Sequence, residues 1–180
     1  MLALKMDAKK TLRRRLLSAR AEMTPAQLTA AASKLSGHLK TFLGGYQPTT
    51  VAAYTPFGSE PGGPGMPDLI AHLVPRLMLP VLLPDKDLDW ALYDDGSLLG
   101  LKAITEADLI IVPAVAVDVR GYRLGRGGGS YDRALARVSS SALVVALLHD
   151  GEVLARVPHE PHDRRVQVAL TPSGVQGLDI

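Results

Sequence analysis

The residues from Gly121 to Arg133, Gly-Tyr-Arg-Leu-Gly-Arg-Gly-Gly-Gly-Ser-Tyr-Asp-Arg, are the part of this sequence best suited to chemistry. Five glycines fall within nine positions, with Arg123 and Arg126 between them. Glycine lets a backbone approach a ligand closely and adopt positive φ. A helix beginning just after the loop would add unpaired N–H groups and positive potential, which suit a phosphate. Arg123 and Arg126 can add charge-assisted hydrogen bonds to phosphate oxygens. Asp132, in the first helical turn, could hold a magnesium ion bridging those phosphates. The run is neither of the common phosphate motifs. It has no Lys for a G-x-x-x-x-G-K-[ST] loop, and Ser130 stands where a dinucleotide fingerprint places its third glycine. The alternative is a flexible turn with Asp132 as an ordinary acid at a helix start.

A second concentration of charge lies near the N-terminus. Lys5, Lys9, Lys10, Arg13, Arg14, Arg15 and Arg20 face one acid, Asp7, so this stretch carries +6 and the remainder is slightly acidic. Such a stretch reads as a transit peptide, a polyanion patch or a helix with a solvated face. Leu12, Leu16 and Ala19 recur at helical spacing beside Leu17, which favours a folded helix with a basic face open to a phosphate-bearing ligand. Lys9 and Arg13, at i and i+4, share one face of it.

Other chemistries are excluded by composition. The chain has no Cys, so disulfides, thiolate catalysis, zinc fingers and iron–sulfur clusters are absent. Its 180 residues read as one domain, and with two Phe, five Tyr and one Trp the core must be aliphatic. No apolar run approaches the roughly 18 residues that span a bilayer. A net charge of +2 does not by itself imply a nucleic-acid partner. None of the five histidines (His38, His72, His149, His159, His162) pairs with Ser or Asp at a catalytic spacing, and none is assigned a catalytic role.

The elements that must position these residues follow from patterning. A helix over about Asp7–Arg20 precedes one that starts at Thr24-Pro25, with Thr as N-cap and Pro at the first helical position, and ends at Gly44-Gly45. Val51–Tyr54 reads as a buried strand leading into the loop Thr55–Glu60. Pro61–Pro67 is irregular, and Pro67–Leu73 is a short helix. Leu77–Leu83 and Leu88–Tyr93 read as strands around a turn at Pro84–Asp87. Leu109–Val112 is a strand ending at Pro113. A helix over Tyr131–Val138, an apolar strand over Ala142–Leu148 and an edge strand over Val166–Leu170 complete the chain. Uninterrupted apolar strands need cover on both faces. The expected fold is a single three-layer α/β/α domain with a mostly parallel sheet. Ligands in such sheets sit beyond the carboxyl ends of the strands, where the loops Thr55–Glu60, Pro113–Asp132 and Leu148–Asp163 emerge.

The run Val112-Pro113-Ala114-Val115-Ala116-Val117-Asp118, followed by Gly121-x-Arg123-Leu124-Gly125-Arg126-Gly127-x-Gly129-x-Tyr131-Asp132, resembles the 5-formyltetrahydrofolate cyclo-ligase family. Lys9-Lys10-Thr11-Leu12-Arg13 resembles its N-terminal element, and Val51–Glu60 its first strand and substrate loop. Leu79-Pro80-Val81 through Leu88-Asp89-Trp90 resembles its middle strands. Val157-Pro158-His159-Glu160-Pro161-His162-Asp163 with Leu170-Thr171 resembles its C-terminal signature. The resemblance implies a fold like that of the sugar-phosphate isomerases and CoA transferases. It implies an enzyme that converts 5-formyltetrahydrofolate to 5,10-methenyltetrahydrofolate with ATP and Mg²⁺, releasing ADP and phosphate. The formyl oxygen would take the γ-phosphoryl group, N10 would attack the activated carbon, and phosphate would leave.

Residue by residue, the resemblance assigns ATP to Lys9, Lys10, Arg13, Arg123, Leu124, Gly125, Arg126, Gly127, Gly128, Gly129, Ser130 and Tyr131. It assigns the folate to Thr55 and Glu60, with Arg126 to Ser130 bordering both ligands. Arg126 and Lys9 would be catalytic, and Asp132 and Asp163 would hold Mg²⁺. A cytoplasmic monomer with no nucleic-acid or membrane partner is expected. The chain departs from the family between Leu98 and Glu106, where it is short. Ser130 replaces a common aromatic residue, Glu152 a common Gln and Gln167 a common Asp. Two rival readings are a sugar-phosphate isomerase or CoA transferase of similar architecture, and a polyanion binder working through the basic helix. A transferase would need a carboxylate nucleophile at a strand end, where only Glu60, Asp118 and Asp150 stand.

Overall fold

The computed structural model describes residues 2–160 and 163–180, with side chains from residue 6 onward. Pro161 and His162 of the C-terminal signature, and the side chain of Lys5, lie outside the described residues. Helix α1 spans Leu2–Ala21 and α2 spans Pro25–Tyr46. The start of α2 is the one read from sequence. The Thr24 hydroxyl accepts from Gln27 N at 3.2 Å, and Thr24 N donates to the Gln27 side chain at 2.8 Å, a capping box. Its end differs. The helix runs through Gly44-Gly45 to Tyr46 and stops at Gln47, which has φ 56° and donates its N–H to Leu43 O. Leu39 and Leu43 are buried on one face, and Phe42 stacks on Tyr46 with ring centroids 6.1 Å apart. Packing therefore holds the last turn against the glycine penalty.

The chain continues through β1 (Thr50–Ala52), α3 (Met66–Ala71), β2 (Arg76–Leu82), β3 (Leu88–Leu92), a 3₁₀ turn (Leu101–Glu106), β4 (Leu109–Pro113), β5 (Ala116–Asp118) and β6 (Arg123–Leu124). It ends with α4 (Ser130–Leu135), β7 (Leu143–Leu147), β8 (Val153–Leu154), β9 (Val168–Thr171) and β10 (Gly174–Gly177). Among the described residues seven strands form one sheet in the order β10-β9-β7-β4-β1-β2-β3. The five inner strands are parallel, with Val51 opposite Leu77 and Leu109, and Ile111 opposite Val145. The two edges, β3 and β10, are antiparallel.

The pleat sends alternate residues to opposite layers. Val51, Leu109, Ile111, Val145 and Leu147 pack with Leu35, Leu39 and Leu43 of α2 and Ile70 of α3. Ala52, Ile110, Val112, Val144 and Ala146 pack with Ile104 of the 3₁₀ turn and with Ala134 and Leu135 of α4. This is the expected three-layer α/β/α arrangement on a mostly parallel sheet. A small second sheet, β6-β5-β8, carries α1: Leu12, Leu16 and Leu17 cover Val115, Ala116, Leu124 and Val157.

Other corrections are local. Val166–Leu170 is not an edge strand, because β10 pairs antiparallel outside β9. Helix α4 is shorter than Tyr131–Val138, although Val138 is still buried. The short stretch after Leu98 closes without leaving a gap. Leu98 bridges Ala91, Leu99 N donates to Trp90 O at 2.8 Å, and Ala103 and Ile104 enter the core.

Candidate active site

A cleft of about 390 Å³ opens at the carboxyl edge of the sheet. The residues following β1 (Tyr54, Thr55), the end of β4 with Ala114 and Val115, and Pro80 and Leu82 of β2 form its floor and one wall. The run Arg123–Asp132 forms another wall, and Lys9, Arg13 and Arg20 of α1 face it. The structure thus gathers Lys9, Arg13, Thr55, Glu60, Arg123 to Asp132 and Asp163 around one cavity. Lys10 is outside it, exposed on the next position of α1. Among the described lining residues five cations (Lys9, Arg13, Arg20, Arg123, Arg126) face three carboxylates (Glu60, Asp132, Asp163), and with Arg20 matched by the buried Glu152 one uncompensated positive charge remains. That excess favours an anion in a partly enclosed cleft.

Helix α1 and the glycine loop are locked together. Arg13 Nε donates to Gly125 O at 2.7 Å. A Cβ on Gly127, whose φ is +100°, would lie 3.3 Å from the Arg13 guanidinium carbon. The dihedral requires glycine there, and the absent side chain leaves the Arg13 guanidinium room to lie against the loop. Among the described residues Arg13 makes no ion pair within the protein. Its terminal nitrogens remain available to a ligand.

The loop Thr55–Glu60 meets the glycine loop through one ion pair. Glu60 is 8% exposed; its Oε1 accepts from Arg126 Nε at 2.9 Å, and Oε2 accepts from Phe57 N at 3.2 Å. The Arg126 guanidinium also lies 4.7 Å above the Phe57 ring. Tyr54 donates its hydroxyl to Pro61 O at 2.6 Å, and burial followed by the Glu60 charge pushes its pKa well up. Tyr131 has a buried hydroxyl without a partner among the described residues, and burial raises its pKa too. Both phenols stay protonated donors at neutral pH.

The two candidate metal ligands each hold a cation. Asp132, 65% exposed, accepts from Arg123 Nη2 at 2.5 Å. Asp163 accepts from Glu160 N at 2.8 Å and lies 3.9 Å from Lys9 Nζ. Among the described residues no three carboxylates or histidines cluster as a ready metal site. Two carboxylates lining one cleft still suit Mg²⁺. That ion keeps several waters and is commonly held by one or two carboxylates plus substrate phosphates.

Some contributors escaped the sequence reading. Arg20, 2% exposed, donates Nε to Glu152 Oε1 at 2.7 Å, and Nη2 to Glu152 Oε2 at 2.8 Å and to Ala114 O at 2.6 Å. His149 Nε2 donates to Ser59 O at 2.8 Å, since a carbonyl can only accept. These are long-range contacts, and no local spacing announces them. The rim residues Phe57 and Leu82, 63% and 66% exposed, offer apolar surface to a ligand.

The carboxylates that a CoA transferase would need are occupied elsewhere. Asp118, fully buried, accepts from Arg120 N, Arg120 Nη2, Tyr122 N and Val157 N. Burial works to raise its pKa, but these four hydrogen bonds outweigh it and the carboxyl is held below the usual range. Asp150 accepts from Ser173 N at 3.1 Å. Three of the basic residues that a polyanion patch would need, Lys9, Arg13 and Arg20, turn inward to the cleft.

Fold and cleft together define an α/β protein with a cation-lined cleft at the carboxyl edge of its sheet. Residues 5–172 match the 5-formyltetrahydrofolate cyclo-ligase family. The chain belongs to that family, which is one of enzymes. It is 42% identical over 142 residues to a 5-formyltetrahydrofolate cyclo-ligase of Mycolicibacterium smegmatis, covering 68% of this chain and 73% of that one. It is 27% identical over 174 residues to the Escherichia coli protein of the same name, covering 87% and 96%. A 5,10-methenyltetrahydrofolate synthetase from Aquifex aeolicus has the same fold, with a TM-score of 0.77 and 26% identity over 96% of this chain and 93% of that one. The fold is shared with a synthetase of that name from Mycoplasma pneumoniae, at a TM-score of 0.78 and 19% identity over 91% and 98%.

Proposed function

We propose that this protein closes the imidazoline ring of 5-formyltetrahydrofolate to give 5,10-methenyltetrahydrofolate, with ATP as phosphoryl donor. One observation supports this above the rest: a single cleft gathers the cations of α1, the glycine loop and the Thr55–Glu60 loop. The formyl oxygen attacks the γ-phosphorus, its bond to the β–γ bridging oxygen breaks, and ADP leaves. N10 then attacks the activated formyl carbon and loses its proton, and phosphate departs.

The protein's part is placement and charge. Lys9 and Arg13 bind the polyphosphate from α1, and Arg126 with the amides of Gly127 to Ser130 binds it from the opposite wall. Arg126 lies at the boundary of the two ligands. It can therefore stabilise charge on the transferring group, the main task in phosphoryl transfer. Glu60 accepts N–H donors of the pterin, and Thr55 borders the same ring system. Leu82, Leu88 and Phe57 supply apolar contact. Asp132 and Asp163 would hold Mg²⁺, which neutralises phosphate charge when bound. Their contacts with Arg123 and Lys9 use Asp132 Oδ1 and Asp163 Oδ2, which leaves the second oxygen of each for the ion.

The test is spectrophotometric. Protein, 5-formyltetrahydrofolate, Mg²⁺ and ATP should give a rise in the near-ultraviolet absorbance of the methenyl product, and no rise without ATP. A protein that binds both ligands yet yields no product overturns the proposal.

A further inference from the structure

A closed circuit of polar contacts surrounds the cleft, and both of its ends lie on α1. On the ligand side, Arg13 binds Gly125 O, and Arg126 in the next position binds Glu60. On the far side, Arg20 binds Glu152 through two bonds, and Glu152 Oε2 accepts from His149 N at 2.7 Å. His149 Nε2 then reaches Ser59 O at 2.8 Å, beside Glu60. His149 and Glu152 do not line the cleft.

We infer that His149 and Glu152 are positioning residues that couple the nucleotide half of the cleft to the folate half. This rests on the function proposed above. The apolar hold on α1 is slight, three leucines on a small sheet, so its polar links decide where Lys9 and Arg13 sit. A ligand that draws α1 inward moves Arg20, and the Glu152–His149 link carries that shift to the backbone of Ser59 and so to Glu60. A ligand that orders Glu60 acts in the reverse direction. Coupling of this kind must be reciprocal. Breaking the link at His149 leaves each half able to bind alone, with the direct Arg126–Glu60 pair as the remaining connection.

The experiment is calorimetric titration of the wild-type protein with a non-hydrolysable ATP analogue in Mg²⁺ and with 5-formyltetrahydrofolate, each with and without the other. Each ligand is expected to tighten the other by about fivefold or more. His149→Leu should lower that enhancement by about threefold or more while each ligand alone binds as before, the remainder being carried by the Arg126–Glu60 pair, and an unchanged enhancement in this variant overturns the inference. His149→Gln, whose side-chain amide can still donate to Ser59 O, should restore it. Hydrogen exchange on the wild type gives a reading independent of whether the leucine variant folds. Either ligand alone should protect the amides of His149 and Glu152, residues that do not line the cleft. Both ligands binding without mutual enhancement, or no protection at those amides, overturns the inference and leaves the functional reading intact. Failure of both ligands to bind sinks that reading and the inference with it.

Discussion

Replacing Arg126 by alanine separates the folding role of this residue from its ligand role. Its Nε is committed to Glu60 and its guanidinium faces Phe57, while the side chain is 43% exposed. Among the described residues its two terminal nitrogens have no hydrogen-bond partner, which leaves them to a phosphate. A charge-assisted hydrogen bond contributes about 1.5–3 kcal/mol. At 1.4 kcal/mol per decade its loss weakens ATP binding roughly 10- to 150-fold. The stability cost is separate: Glu60 is 8% exposed, and without the guanidinium its buried carboxylate keeps Phe57 N as its one partner among the described residues, a loss of about 1–3 kcal/mol. In a chain of this size each kcal/mol lowers Tm by about 2–4 °C. The assay pairs calorimetric titration of ATP with a thermal melt. A variant that melts a few degrees lower and binds ATP far more weakly agrees with the structure. One that binds ATP like the wild type removes Arg126 from the phosphate cradle. Glu60→Gln is the control: it should raise the KM for the folate and leave ATP affinity nearly unchanged.

Asp132→Asn and Asp163→Asn should each shift the Mg²⁺ activation curve to higher concentration, and an unmoved curve would remove that residue as a ligand. Gly121→Ala should destabilise severely: φ is +84° and the added Cβ would lie 2.3 Å from Val166 O. Overpacking and backbone strain together cost roughly 3 kcal/mol or more, which a denaturant midpoint will report. Gly44→Ala should do the opposite, since α2 runs through it with nothing within 4 Å of the new Cβ, and a gain of about 0.5–1 kcal/mol is expected. Asp87 is held at about 2, against an ordinary 3.8, by the Arg137 guanidinium and the Leu88 N–H. Its folded value lies below the unfolded one, so its contribution is present above pH 3.8 and is lost as pH falls towards 2. Asp87→Asn should flatten that acid limb of the Tm–pH curve.

The legible parts of the fold were those with a local cause. Four apolar residues at Leu109–Val112 announce a buried strand because such a run has no other place to go. Thr24-Pro25 announces a helix start because the cap is satisfied within three residues. The end of α2 was misread because Gly44-Gly45 is a stop signal only when nothing packs beyond it, and Phe42, Leu43 and Tyr46 do pack. β5, β6 and β8 have two or three residues each, too few to show a period, and β9 looked like an edge only because the pairing with β10 is a tertiary fact.

The candidate site divides along the same line. Arg13 and Arg20 belong to one basic helix, and composition cannot tell them apart. In the structure Arg13 makes no ion pair among the described residues and holds Gly125 O through Nε alone, whereas Arg20 spends its guanidinium on Glu152, 132 residues away. What separates them is position along α1 relative to the sheet edge. Two helical turns toward the C-terminus carry Arg20 to the buried Glu152 carboxylate beside Ala114, where an unpaired cation would be costly. The glycine loop could be read from sequence because the contacts proposed for it are mostly backbone, and glycine is the residue that backbone contact demands. Glu152 and His149 could not, because their partners are a distant guanidinium and a backbone carbonyl. The departure at position 152 was visible as a carboxylate, but its meaning waits on Arg20. A glutamate there carries the charge that the buried Arg20 needs, and with it fixes the helix that presents Lys9 and Arg13 to the cleft.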